Sequence, residues 1–350
     1  MDANLTAEVK QAAKEAGADL VGIGSLDRWQ GAPPPWDPRF IYPEARVMIA
    51  LAFRIPRGYY RGVEEGTHFW QYPSMGYANI NEVAAPMALR GLARFIEDQG
   101  YEGVAFRNCG DTGPTSCITL DEEQLPEKET EGKWIGRIRH SRPVRPGQPA
   151  PDIQFHFRIA AYLCGLGEIG YSKIFLTPEF GPRQRFAFML TDAPLRPDPI
   201  YSGPPICDRC MKCVKECPGA LSKTEKIKVT VAGRDLEWAK LDEAYCWAAY
   251  ASCLKEINPF LPDDALSDLP DGDKIIRGEK RLTLAEAFQV VQRLSKYYPN
   301  AVPNSYHPAM CAGRGCMRAC MVHLEEKGKT TRKFHDKFRK RAPWWTKEKA

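Results

Sequence analysis

Four cysteines at set intervals, Cys207-Asp-Arg-Cys210-Met-Lys-Cys213-Val-Lys-Glu-Cys217-Pro218, constrain this chain more than any other stretch of it. The spacing reads C-x2-C-x2-C-x3-C-P. Three thiolates at intervals of three can face one cubic iron–sulfur cluster from a tight loop, while the fourth, followed by proline, points away to a second cube. A structural zinc site wants paired C-x2-C knuckles and has no use for a third regular thiolate or for the Cys-Pro step. The motif therefore predicts two 4Fe–4S clusters and a second half-motif downstream. Cys311-Ala-Gly-Arg-Gly-Cys316-Met-Arg-Ala-Cys320 supplies it. By the same exchange, Cys320 completes the cube of Cys207, Cys210 and Cys213, which leaves Cys217, Cys311 and Cys316 one ligand short. Cys246 and Cys253 lie between the two halves. Asp242 can cap a helix carrying both on one face, so spacing alone does not choose between them.

A chain of 350 residues with 43% apolar and 27% charged residues has the length and composition for one large or two ordinary globular domains. It contains no run of about 18 apolar residues, so a membrane-spanning helix is not expected. The N-terminus, Met-Asp-Ala-Asn-Leu-Thr, lacks the basic and apolar regions of a signal, and the expected compartment is the cytoplasm. Twelve cysteines in that compartment read as metal ligands and free thiols, not as disulfides. The net charge of +5 comes from one end, since residues 327–350 carry ten Lys/Arg against Asp336 and Glu348. Such a tail can be a solvated face. It also suits the docking of an acidic electron donor, a flavodoxin or ferredoxin, by long-range steering. No aromatic interleaving or nucleic-acid module accompanies the charge, which disfavours nucleic-acid binding.

Along the chain, Thr6 can cap a helix that ends at Gly17, and Leu20 to Gly24 and Val47 to Phe53 read as buried strands. Helix alternating with strand suggests an α/β-type layer. A long aromatic and glycine-rich stretch from Arg54 to Asn81 precedes a helix from Glu82 or Pro86 to Asp98 and a strand from Tyr101 to Phe106. Residues 107–152, with Cys109 and Cys117, form a candidate lid. Phe155 to Leu166 reads as helix, Arg185 to Thr191 as a central strand and Pro194 to Pro205 as a linker. Thr283-Leu-Ala-Glu286 is a capping box opening a helix to Tyr297. His68, His140, His156, His307 and His323 form no H-x3-H pair, so a histidine-bound metal is not expected. Gly165-Leu-Gly-Glu-Ile-Gly170 only partly fits a dinucleotide fingerprint and follows no strand.

That same turn, followed by Leu176-Thr-Pro-Glu-Phe-Gly-Pro-Arg183 and Leu190-Thr-Asp-Ala-Pro-Leu195 ahead of the cysteine motif, resembles the corrinoid-dependent reductive dehalogenases. Leu92-Ala-Arg-Phe-Ile-Glu-Asp-Gln-Gly-Tyr101, with Asn108 beyond it, and the C-terminal Phe338-Arg-Lys-Arg-Ala-Pro-Trp344 are similar as well. The sister family of epoxyqueuosine reductases shares the order of these parts, including a lone cysteine after an acidic residue. That feature favours Cys246 over Cys253 as the eighth cluster ligand.

The resemblance implies an α+β fold. Residues 1–200 would be a nitroreductase-like core with an α/β-type layer holding a base-off cobalamin, residues 201–325 a ferredoxin-like insert with two 4Fe–4S clusters, and residues 326–350 a basic tail packing on the core. It implies corrinoid contacts from Gly170, Tyr171, Ser172, Pro178, Glu179, Phe180 and Gly181. Tyr77 falls where both families carry their proton donor, with Lys173 as the cation that would lower its pKa. The dehalogenases usually carry Arg at the place of Tyr171. The epoxyqueuosine enzymes have Trp for Glu168 and Gly-Lys where Gly170-Tyr171 stands. The expected activity is a reductive dehalogenase-like reduction of a small organic substrate. The alternatives are an epoxyqueuosine reductase-like tRNA-modifying enzyme and a ferredoxin-type protein that only relays electrons.

Overall fold

Val47–Arg54 (β2) is apolar from Val47 to Phe53 and buried at each of those positions, which suits only the middle of a sheet covered on both faces. The computed structural model describes residues 1–32, 34–107, 143–149, 151, 153, 155–294, 297 and 310–345. Asn108, Cys109, Cys117, His140 and His307, with most of the proposed lid, lie outside the described residues.

β2 is flanked by Leu20–Ser25 (β1) and by Gln184–Thr191 (β6), with Gly103–Phe106 (β3) at the far edge, so the order is β1-β2-β6-β3. Every pairing is antiparallel, with Ile23 opposite Ile49 and Ile49 opposite Met189. Alternation along β2 divides the core. Val47, Ile49 and Leu51 face a cluster that includes the helices Ala3–Glu15 (α1) and Ala85–Asp98 (α3), while Met48, Ala50 and Ala52 face the helix Phe157–Leu163 (α4) and Phe188. The result is a mixed fold with helices on both faces of an antiparallel sheet.

Local chemistry moves several predicted boundaries. The first helix begins at Ala3 because Asp2 caps it, its Oδ1 accepting from the Asn4 and Leu5 amides at 2.9 and 3.0 Å. Thr6, the expected cap, sits inside the helix, where its hydroxyl accepts from the Arg196 amide at 2.8 Å. α4 covers Phe157–Leu163 and not the full predicted span, because His156 Nδ1 caps it by accepting from the Ile159 amide at 3.3 Å. The turn beyond it needs Gly167, where φ is +154° and a Cβ would lie 2.0 Å from the Leu176 carbonyl. Part of the aromatic stretch is helical, with wide π-type turns over Tyr72–Ala78 and Ile80–Ala84 leading into α3. The capping box holds, Glu286 accepting from the Thr283 amide at 2.8 Å at the start of the helix Leu284–Leu294.

Two small sheets complete the strands. Glu168–Ile169 (β4) pairs with Phe175–Leu176 (β5), and Leu221–Val231 (β7) pairs with Arg234–Leu241 (β8) in a hairpin turning at Ala232 and Gly233. The hairpin places Ile227 and Trp238 in the core against β6. The segment after residue 330 returns to the helix Arg61–Glu65 (α2), with Trp344 Nε1 donating to the Val63 carbonyl at 2.8 Å and Arg341 pairing with Glu65 at 2.7 Å. No helix among the described residues is long and apolar enough to cross a membrane.

α2 is tied to the helix Cys316–Glu326 (α10) by Arg318 and Glu64, which are 0% and 3% exposed, with Arg318 Nη2 donating to Glu64 Oε1 at 2.8 Å. Removing one partner of such a pair strands a buried charge, at a cost of about 3–5 kcal/mol. Glu64→Gln or Arg318→Met alone should lower the thermal midpoint by several degrees. The double variant should recover most of that loss, as followed by circular dichroism at matched iron content.

Candidate metal centres and the residues around them

The C-x2-C-x2-C loop places two non-glycine residues in the left-handed region, Arg209 at φ +54° and Met211 at +60°. Successive residues of alternating hand can aim backbone N–H groups at one anionic centre. Tyr171 N donates to Cys207 Sγ at 3.4 Å. Burial raises the Cys210 and Cys213 thiols, and the backbone of Lys212 and Val214 lowers them against it. Met211 begins the short helix Lys212–Lys215 (α5), which packs on α10. α10 brings Cys320 into electrostatic contact with Cys207, Cys213 and Cys210. Gly170, Tyr171 and Ser172 line the same recess as Cys207, Cys210, Cys213 and Cys320.

The second group forms where α5 ends. Cys311, on the helix Met310–Arg314 (α9), interacts electrostatically with Cys246 and Cys217, and Cys316 with Cys311 and Cys217. Leu221 N donates to Cys217 Sγ at 3.3 Å. Cys246 rides on the helix Glu243–Tyr250 (α6), capped by Asp242 as expected through the Tyr245 amide at 2.9 Å. That helix stops at Tyr250, and Ser252 turns the chain at φ +64°. Cys253 therefore does not share a helical face with Cys246. It packs into a separate apolar cluster with Ala248 and Leu261, while Cys246 joins the cluster of Cys217 and Cys311.

Burial pushes the Cys213 thiol up to about 11 and the Cys311, Cys316 and Cys320 thiols well above their ordinary value, with neighbouring sulfurs adding to the effect. Left alone, thiols so placed stay protonated. As thiolates they need a cation among them and N–H donors around them, and the donors are in place. The residues therefore fit iron–sulfur clusters in both groups.

The structure also places a feature that sequence reasoning passed over. His323, three residues beyond Cys320 on α10, contacts Asp208 through Nε2 at 2.8 Å, and Asp208, Cys210 and His323 hold their ligand atoms within 4.8 Å of one another. The helical spacing from Cys320 to His323 was the available signal. Cys164 is buried, its thiol donating to the Met48 carbonyl at 3.4 Å.

Tyr77 lies half-buried in the first π-type turn, 5.9 Å from the Tyr250 ring. The cation against it is Arg185, 4.1 Å from the ring centroid and held by Asn81 Oδ1 at 3.1 Å. Lys173, the cation expected from the sequence, lies 3.0 Å from Glu243, with its side chain 2% exposed. Burial raises the Glu243 carboxyl and Lys173 lowers it. Tyr72 opens Tyr77's turn, its ring 5.0 Å from that of Tyr60; burial raises both phenols, and Tyr72 interacts with Arg185, Tyr250 and Cys316. Tyr60 donates to Met317 Sδ at 2.8 Å.

The residues expected to hold a corrinoid separate into two places. Gly170, Tyr171 and Ser172 lie at the first thiol group. Pro178, Glu179, Phe180 and Gly181 form a turn under the returning tail, where the Pro178 carbonyl accepts from the Thr331 amide at 2.9 Å and Arg54 and Arg332 stack on Phe180. Near Lys173, His156 and Trp238 stack at 6.2 Å, and both His156 Nε2 and Trp238 Nε1 are buried without a hydrogen-bond partner among the described residues. Each such orphan costs about 1–3 kcal/mol. The polar rim of a corrinoid would supply the partners that these two atoms lack.

No protein-family model matches the chain. It is similar to curated tetrachloroethene reductive dehalogenases. It is 26% identical over 249 residues to one from Desulfitobacterium hafniense, covering 66% of this chain and 41% of that protein. It is 28% identical over 220 residues to one from Sulfurospirillum multivorans, covering 61% and 40%. The chain thus spans about two fifths of the length of the curated relatives it matches. Among solved structures it is similar to a catabolic reductive dehalogenase, with TM-score 0.45, 18% identity and coverage of 93% of this chain and 38% of that one. It is similar also to epoxyqueuosine reductase from Streptococcus thermophilus, with TM-score 0.39, 16% identity and coverage of 61% and 52%.

The different surroundings of Cys246 and Cys253 are open to a direct measurement. After anaerobic reconstitution, Cys253→Ala should keep about eight irons per chain, the content of two cubes. Cys246→Ala should fall toward about four, with the loss confined to one of two cluster signals in electron paramagnetic resonance. Unchanged iron in Cys246→Ala would remove that residue from the ligand set.

Proposed function

We propose that this chain is a corrinoid-dependent iron–sulfur reductase that removes a substituent, a halogen by preference, from a small organic substrate. The observation that carries this reading is the neighbourhood of the second thiol group, where Cys316 and Met317 abut the Tyr72, Arg185 and Tyr77 cluster. The curated relatives bear the name of that chemistry.

Cys207, Cys210, Cys213 and Cys320 would hold one cube, and Cys217, Cys246, Cys311 and Cys316 a second. When bound, the clusters supply single low-potential electrons and the corrinoid a metal centre suited to reductive bond cleavage. His156 and Trp238, with Gly170, Tyr171 and Ser172, would contact the corrinoid. Tyr60 and Tyr72, both buried, would keep water from the second thiol group. Tyr77 would give the substrate its proton from the phenolic oxygen. Arg185 over the ring favours the phenolate left behind, the role that the sequence reading gave to Lys173. Lys173 and Glu243 hold the β4–β5 turn to α6. In this reading residues 1–200 are the nitroreductase-like core, 201–325 the ferredoxin-like unit and 326–350 the tail, working in the cytoplasm with an acidic one-electron donor.

Protein reconstituted with iron, sulfide and cobalamin should retain the corrinoid through gel filtration and release chloride from tetrachloroethene under reduced methyl viologen. Tyr77→Phe should keep iron and corrinoid while turnover falls by about 100-fold or more. Retention of iron without corrinoid would leave a protein that only relays electrons, and unchanged turnover in Tyr77→Phe would remove Tyr77 from the chemistry.

A further inference from the structure

We propose that an acidic one-electron carrier protein docks over the Cys210 loop and the cleft beside Cys217, and not on the basic C-terminal tail. The inference rests on the reading of the thiols as cluster ligands, and adds the face through which they are reached. Cys210 is exposed, whereas the seven other proposed ligands are intermediate or buried. Beside it opens a cleft of about 520 Å³ whose lining includes Met211, Cys217, Lys215, Lys223 and Glu256. Lys215 and Lys223 are exposed, and neither is in an ion pair among the described residues. Arg209, 50% exposed, and Lys212, 48% exposed, extend the basic rim around Cys210, each facing one carboxylate.

The tail offers exposed cations as well, Lys327, Arg332, Lys333 and Lys337, none in an ion pair among the described residues, so the choice of face rests on Cys210, the exposed ligand. Arg339 and Arg341 face Glu64 and Glu65, and Lys340 pairs with Asp336 at 3.0 Å. Charge that is already compensated within the fold steers a partner weakly, while uncompensated charge around a half-apolar cleft raises the association rate and falls off with salt. In the transfer itself, the carrier loses one electron and the group held by Cys207, Cys210, Cys213 and Cys320 gains it, with no bond made or broken.

Stopped-flow reduction of the reconstituted protein by reduced flavodoxin, read as bleaching of the cluster absorbance, tests this. The second-order rate should drop by about tenfold or more between roughly 0.05 and 0.5 M salt. Lys215→Glu/Lys223→Glu should lower it about tenfold at low salt, while Lys337→Glu in the exposed tail changes it less than about twofold. Photoreduced deazaflavin, a small uncharged reductant, should bleach all three proteins alike. A flavodoxin rate indifferent to salt and to Lys215→Glu/Lys223→Glu, with normal bleaching by deazaflavin, overturns the docking face and leaves the clusters standing. Absence of bleaching by deazaflavin in the unaltered protein overturns the cluster reading and the docking face with it.

Discussion

Sulfur taken out of water is the constraint around which the second half of this molecule is arranged. Buried Cys213, Cys311, Cys316 and Cys320 thiols resist ionisation as burial and neighbouring sulfurs dictate, so the fold is at ease with them only as neutral thiols or around a compensating cation. The local backbone favours the second arrangement. Left-handed Arg209 and Met211, the helix starts at Lys212 and Cys316, and the Tyr171 and Leu221 amides all surround the sulfurs with donors. Metal filling these groups would couple folding to metal uptake.

The sheet half meets that region through apolar packing of Met321, Val322, Ile227 and Trp238 and through polar and aromatic contacts. Arg318 and Glu64 join α10 to α2, Lys173 and Glu243 join the β4–β5 turn to α6, and Tyr60 and Tyr72 rest on Met317. Buried ion pairs add little net stability but penalise misalignment heavily, because each partner left alone is a stranded charge. They therefore suit a seam whose alignment matters more than its strength. The returning tail closes the same seam from outside, with Trp344 on α2 and Arg57 over the Phe334 ring at 3.6 Å.

Short-range patterns in the chain were legible wherever one physical preference dominates. The continuous apolar run of β2, the Asp242 cap, the Thr283 capping box and the cysteine spacing each depend on neighbours within a few residues. Thr6 misled because Asp2 offers an equally good cap one turn earlier, and both side chains find partners. The β7–β8 hairpin carried a readable signal in the alternation of Ile227, Val229 and Val231 before Gly233, but it sits in a segment dominated by cysteine motifs. The basic tail was legible as charge and not as a packed strap, since its acidic partners Glu64 and Glu65 lie far away in sequence.

From its order of residues alone, the chain determined the two half-motifs, the class of metal group they suit and the buried strands of the sheet, because these are matters of spacing and local burial. Only the tertiary structure gave Cys246 and Cys253 different surroundings, set Arg185 over the Tyr77 ring and Lys173 against Glu243, joined His323 to Asp208 and left Cys210 at the surface. Each of those outcomes depends on where a helix stops or which distant side chain reaches a site first. Such contacts are settled by packing among segments remote in sequence, which no local preference encodes.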